Sequence, residues 1–205
     1  ISLDNVLVRF LDPWGRYRNL IHDDLSPRWE DEEIAVIGLN TVNRYAHQSG
    51  RIGRSQLRVI AGAHQENPLK THVVVMHHPP EHPHGSTKRP MRHAGKGVVA
   101  MRRAGADIVL SGHLHNAHVA PLTAAPGILL VQAGTGLSTR LRNEPNTLNL
   151  LTIEPGQVRV DRYAAFAAPA FEVTETAWFG RDPHDPDAPW EALSPSLPRA
   201  AGQST

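Results

Sequence analysis

Three short, largely apolar runs constrain this sequence more than any other feature. They are residues 34–39, 71–76 and 107–110. Each is shorter than a typical buried helix and matches a buried strand. Segments with helical spacing separate them, at 51–64 and 96–104. Because strands that alternate with helices form parallel sheets, we predict an α/β fold. Antiparallel strands are expected to complete it, at 128–132, 147–153 and 158–163.

The composition limits the functions that this fold can serve. Among 205 residues, 21 Lys and Arg balance 20 Asp and Glu, giving a net charge of +1. No strong field therefore attracts nucleic acid or an anionic membrane, and we expect neither as a partner. The sequence has no cysteine, which excludes thiolate ligands and a thiol nucleophile. The first residues do not resemble a signal peptide, so we expect a cytoplasmic protein.

Histidines directly follow two of the predicted strands. His77 and His78 come after the second run, and His113 and His115 come after the third, with Gly112 before them. Ligands of α/β sheets bind beyond the carboxyl ends of the strands, so both groups are expected at one edge. On an extended segment the rings of His113 and His115 would point to the same side. Since neutral imidazole is a common metal ligand, the two groups together predict a metal site, although each alone also fits ordinary surface histidines.

These two segments resemble a known family. Residues 74–80 (Val-Val-Met-His-His-Pro-Pro) and 111–116 (Ser-Gly-His-Leu-His-Asn) are similar to the second half of the calcineurin-like metallophosphoesterases. The nearest subgroup is the bacterial class III cyclic-nucleotide phosphodiesterases. The resemblance covers about residues 1–165 and implies the C-terminal part of an αββα sandwich with mixed sheets. Residues 166–205 would then be an extension that becomes a Pro-rich tail from about residue 182.

The resemblance implies a hydrolase of phosphomonoesters or phosphodiesters. The family binds two divalent ions of the Mn, Fe or Zn type, roughly 3.5–4 Å apart, and a metal-bound hydroxide attacks phosphorus. His77 and His113 match ligands of one ion, and His115 matches a ligand of the other. His78 matches the neighbouring position and is expected to support the ligands or face the substrate. Substrate contacts are also expected from a further group, His82, His84 and Arg140.

The other ligands of the family do not occur upstream of His77. They belong to Asp-x-His, Gly-Asp and Gly-Asn-His-Asp elements, which supply a bridging carboxylate and an asparagine. Residues 3–11 resemble the helix that follows the last of these elements. We therefore expect the N-terminal part of the domain to be absent and the metal site to be partial. Two alternatives stay open: a catalytically inactive remnant or binding module of the same fold, and a His-rich protein that binds a single metal.

Overall fold

The computed structural model describes residues 5–46, 49–82, 91, 93–139, 144–166, 170–185 and 187–194. Its helices are α1 (Val6–Leu11), α2 (Gly15–Leu20), α3 (Arg54–Glu66) and α4 (Ala94–Arg103). Its strands are β1 (Arg28–Glu30), β2 (Ile34–Leu39), β3 (Thr71–Met76), β4 (Ile108–Ser111), β5 (His118–Leu122), β6 (Ala125–Gln132), β7 (Asn146–Glu154), β8 (Gln157–Ala165), β9 (Glu172–Gly180) and β10 (Glu191–Leu193). Within these residues no helix combines the length and the apolar character needed to span a bilayer.

The three apolar runs of the sequence form the centre of a six-stranded sheet, sheet A. Its strand order is β1-β2-β3-β4-β6-β5. Strands β2, β3, β4 and β6 are parallel, whereas β1 and β5 pair antiparallel at the two edges. A second sheet, sheet B, is antiparallel throughout, with the order β10-β9-β8-β7. The predicted α/β class with mixed strand directions is confirmed.

The described residues build three layers around two apolar clusters. On one face of sheet A, Val74 and Val109 pack with Ile60 of α3 and Met101 of α4. On the other face, Ile108 belongs to a cluster that joins sheet A to sheet B. Each such fully buried side chain contributes about 1.5–3 kcal/mol relative to exposure. The layer order is helix, sheet, sheet, and a fourth, helical layer is not among the residues that the structure describes.

A buried carboxylate holds the amino-terminal edge of sheet A together. Asp107 is only 5% exposed and accepts the backbone N–H of His72 at 2.8 Å. It also accepts Nη1 of Arg102 at 3.0 Å and Nη2 of Arg181 at 2.6 Å. Burial alone would raise the pKa of Asp107, but the His72 ring and the Arg181 charge outweigh it and hold that pKa below its ordinary value. The network lies at the end of β4 away from the histidines that follow this strand.

The C-terminal residues pack onto this network. Trp190 is 3% exposed, and its indole N–H donates to the carbonyl of Asp107 at 3.2 Å. The guanidinium of Arg181 lies 4.6 Å from the centre of the Trp190 ring. Residues 187–194 fall in the segment predicted as a Pro-rich tail, and they contribute β10 and this buried indole to the fold.

Candidate metal site

Three histidines converge at the carboxyl edge of sheet A. His77 and His78 follow β3, and His113 follows β4. Because the two strands are parallel neighbours, with Val75 in register with Leu110, the residues that follow them meet. One ring nitrogen from each histidine lies within 4.8 Å of the other two. Nδ1 of His113 and Nε2 of His77 are 3.2 Å apart.

The spacing of these nitrogens suits a divalent ion. Two nitrogen ligands of a tetrahedral Zn²⁺, each at 2.0–2.1 Å, stand about 3.3 Å apart. The separation of 3.2 Å between His113 and His77 is close to that edge. Imidazole ligands suit Zn, Cu, Fe and Ni. In the described residues the group contains three imidazoles and no carboxylate, a donor set that leaves the fourth position of one ion open.

His78 is held from two sides. It is 7% exposed, and its Nδ1 lies 2.9 Å from the hydroxyl of Thr41, which is 1% exposed and follows β2. When Nδ1 donates to that hydroxyl, Nε2 carries the lone pair that a metal requires. Gly50 lies against the ring, since a Cβ there would stand 2.6 Å from Cβ and Cγ of His78. Neither Thr41 nor Gly50 is a predicted site residue, and of the two only Thr41 has a signal in the sequence, its place after a buried strand.

The backbone of the second histidine motif is not extended, so the expectation of a straight segment was wrong. His113 has a φ of 70° and His115 a φ of 66°, both in the left-handed region. Leu114 between them is 6% exposed and anchors the turn in the interior. The N–H of Gly112 donates to the carbonyl of His77 at 3.1 Å. Left-handed residues other than glycine cost about 1–3 kcal/mol each and cluster at ligand sites.

The structure separates the remaining predicted site residues. His115 lies outside the group of three, and its Nδ1 is buried without a hydrogen bond to the described residues. His78, predicted to support the ligands or face the substrate, lies within the group of three. His82 lines a different, small cavity of about 170 Å³, together with His118. Two predicted residues fall outside the described part of the chain, His84 and Arg140.

An apolar cavity opens beside His77. Its volume is about 700 Å³. Trp14 and Tyr17 line it from the α2 region, and Val75 and Met76 line it from β3. This volume is within the range of sites that bind small organic molecules. A ligand held near the histidines therefore has an apolar wall available for its organic part.

Comparisons with known proteins give remote structural likenesses. No protein-family model and no curated protein matches the sequence. Among solved structures, the Plasmodium protein GAP50, described as the anchor in the inner membrane complex, is similar with a TM-score of 0.49 and 13% identity. That match covers 74% of this chain, which spans 51% of GAP50.

Vps29 of Entamoeba histolytica is also similar. The wild-type protein, solved with Zn²⁺, has a TM-score of 0.32 and 15% identity, over 70% of this chain and 97% of Vps29. A single mutant of it has a TM-score of 0.31 and 16% identity, over 78% and 97%. None of these likenesses assigns a role to a residue of this chain.

Proposed function

We propose that this chain binds a divalent transition metal through His77, His78 and His113 and takes part in metal-dependent hydrolysis of phosphate esters. The observation that carries the proposal is the convergence of three ring nitrogens within 4.8 Å at the ends of two parallel strands. A divalent ion there would act as a Lewis acid and lower the pKa of a water molecule. The resemblance of residues 74–80 and 111–116 to the metallophosphoesterases supplies the reaction class.

The chain's own residues would position the ester. The hydroxyl of Thr41 fixes the ring of His78 by a hydrogen bond, and Gly50 leaves space for that ring because it has no Cβ. The apolar cavity beside His77 would take the organic part of the substrate, with Trp14 and Tyr17 at its wall. The carboxylate ligands that the resemblance implies do not occur upstream of His77. We therefore expect one metal ion bound by imidazole alone and slow turnover by these 205 residues.

His115 is the proposed ligand of a second ion. Its Nδ1 is buried and makes no hydrogen bond within the described residues. A buried ring nitrogen without a hydrogen-bond partner is available as a metal ligand. Two ions per chain would require carboxylates as well, so the occupancy at His115 is expected to be weak in these 205 residues.

A mononuclear binding protein without catalysis is the second candidate. The observation that favours it is the absence of a carboxylate from the described histidine group. Three imidazoles complete a site for one Zn²⁺ without further protein ligands. The two candidates share the metal and differ in turnover.

The test combines metal stoichiometry with hydrolysis. Chelator-treated protein is dialysed against Zn²⁺, Co²⁺ or Mn²⁺, and the bound ion is measured by mass spectrometry and by the visible spectrum of Co²⁺. Hydrolysis is followed with bis(4-nitrophenyl) phosphate and 4-nitrophenyl phosphate. We expect at least one ion per chain, lost in His77→Ala and His113→Ala. The matched control is His22→Ala, because His22 is exposed and its ring hydrogen-bonds, within the described residues, to the local backbone at Asp24.

The outcomes distinguish the phosphoesterase from the mononuclear binding protein. Metal that stays bound in His113→Ala, or is lost equally in the His22 control, refutes the site. Stoichiometric metal with no turnover of either ester under any of the three ions refutes the phosphoesterase and supports the mononuclear binding protein. Metal-dependent turnover that disappears in His77→Ala supports the proposal.

A further inference from the structure

A second, basic cavity lies on the helical side of sheet A. Its volume is about 750 Å³, and it is lined by residues within 43–46 and 49–52 and by the first turns of α3 and α4. Three permanently cationic side chains line it, those of Arg51, Arg54 and Lys96. No Asp or Glu is among its described lining residues. In a chain whose net charge is only +1, this is a local concentration of positive charge.

The cations of this cavity have no carboxylate counter-charge in the described chain. Six other Lys or Arg side chains there form ion pairs with Asp or Glu, and none of these pairs includes Arg51, Arg54 or Lys96. A cavity lined by one sign of charge focuses the field and raises the local concentration of counter-ions. The arrangement therefore favours an anion from solution.

Two helices add to the same potential. Arg54 is the first residue of α3, and Lys96 lies in the first turn of α4. Neither first turn contains an acidic residue. Cations at a helix N-terminus are unfavourable, because they add to the positive end of the helix dipole. A bound anion would reverse the sign of this interaction.

One part of the remaining wall is apolar, and Asn43, Ser49 and His93 add polar groups to the rest. Ile52, Leu57 and Met91 line the apolar part, and Met91 is only 5% exposed. The volume is within the range of sites for small organic ligands and large for a single phosphate ion. We propose that this cavity binds a small phosphorylated organic molecule, with its phosphate among Arg51, Arg54 and Lys96 and its organic part on the apolar wall.

The cavity adjoins the histidine cluster but is separate from it. Gly50 lines the cavity and lies against the ring of His78 on its other side. The backbone N–H of Arg51 donates to the carbonyl of Thr41 at 2.9 Å, and Thr41 holds the same ring. A ligand in the cavity would therefore influence metal affinity through this wall. The anion site itself does not require the proposed metal.

The test measures anion binding in the absence of metal. Inorganic phosphate, glycerol 2-phosphate and chloride are titrated calorimetrically into the chelated chain at equal, low ionic strength. We expect both phosphates to bind and the ester to bind more tightly. Arg51→Gln, Arg54→Gln and Lys96→Gln should each weaken binding about fivefold, the effect of one unit charge at about 4 Å in a solvent-like dielectric. The triple variant should not bind.

Two control variants locate the anion. Arg58→Gln, an exposed residue of α3 that does not line the cavity, should leave the affinity unchanged. His113→Ala should also leave it unchanged, which separates this site from the proposed metal site. Equal affinity for chloride and phosphate, equal loss in Arg58→Gln, or loss in His113→Ala overturns the proposal. Binding of inorganic phosphate with no gain for the ester overturns the organic ligand class.

Discussion

Asp107→Asn is the substitution whose effect follows most directly from the structure. The side chain keeps its shape and loses its charge, so the negative group that faces Arg102 and Arg181 disappears. Both guanidinium side chains are 12% exposed, and Asp107 is 8% exposed at its side chain. Removing one partner of a buried ion pair costs about 3–5 kcal/mol. The free energy of unfolding is expected to fall by that amount.

The loss is measured by urea denaturation and by thermal melts. For a domain of this size, about 3–5 kcal/mol corresponds to a fall of roughly 6–20 °C in melting temperature. Asp23→Asn is the matched control, because Asp23 is exposed. A destabilisation by Asp107→Asn no greater than that of Asp23→Asn would refute the assignment of Asp107 as the organising charge of this edge.

The same residue gives a pH dependence with a definite sign. Burial raises the pKa of Asp107 in the folded chain. The His72 ring and the Arg181 charge outweigh this effect and hold that pKa below its ordinary value of 3.8. A carboxyl with a depressed folded pKa contributes stability that is present above the unfolded pKa and is lost as the pH falls through the folded pKa. Wild type should therefore lose stability below about pH 4, and Asp107→Asn should lose less over the same range. Parallel acid-denaturation curves for the two proteins would contradict this.

Three further outcomes are expected. Gly50→Ala places a methyl group within 2.6 Å of the His78 ring, so metal affinity measured by dialysis should fall at least tenfold. An unchanged affinity would show that Gly50 does not contribute to the proposed site. Trp190→Ala should cost about 3–5 kcal/mol in urea denaturation, the range for a buried aromatic residue, and a loss under 1 kcal/mol would count against a packed C-terminus. Burial and the nearby His72 lower the pKa of His64, so stability should fall as the pH drops through 6.5, and His64→Gln should flatten that slope in denaturant titrations at several pH values.

The centre of the fold was predictable because its determinants are local. The apolar runs at 34–39 and 71–76 coincide with β2 and β3, and the predicted helices at 51–64 and 96–104 overlap α3 and α4. Burial on both faces makes such strands nearly continuous in apolar residues. The pairing of parallel strands then brings the residues after β3 and β4 to one edge.

The parts that were missed depend on distant contacts. Strand β5 contains Pro121, which a sheet tolerates only at an edge, and β5 is the edge of sheet A. Strand β9 is highly exposed at its start and pairs with β8 and β10, so its sequence alone carries little signal. The sequence carries no signal for the buried charge of Asp107, because its partners Arg102 and Arg181 come from α4 and from the residue directly after β9.

The histidine cluster was predictable in position but not in membership. Strand order places His77, His78 and His113 together. The position of the His78 ring also depends on its contacts with Thr41 and Gly50, which a His-His or His-x-His pattern does not indicate. The left-handed backbone of the second motif was likewise invisible, because nothing in a His-Leu-His sequence specifies it.

In the left-handed turn, the residue that is best for stability differs from the residue that can bind a metal. Glycine is the residue that this backbone accepts at the lowest conformational cost, and glycine has no atom that ligates a metal. At a φ of 70°, His113 therefore costs about 1–3 kcal/mol of folding free energy relative to a residue that adopts this backbone freely. A library of variants selected for heat resistance alone should enrich His113→Gly and His115→Gly. We expect the His113→Gly variants from that selection to be more stable than the parent and to lack one ligand of the proposed metal site.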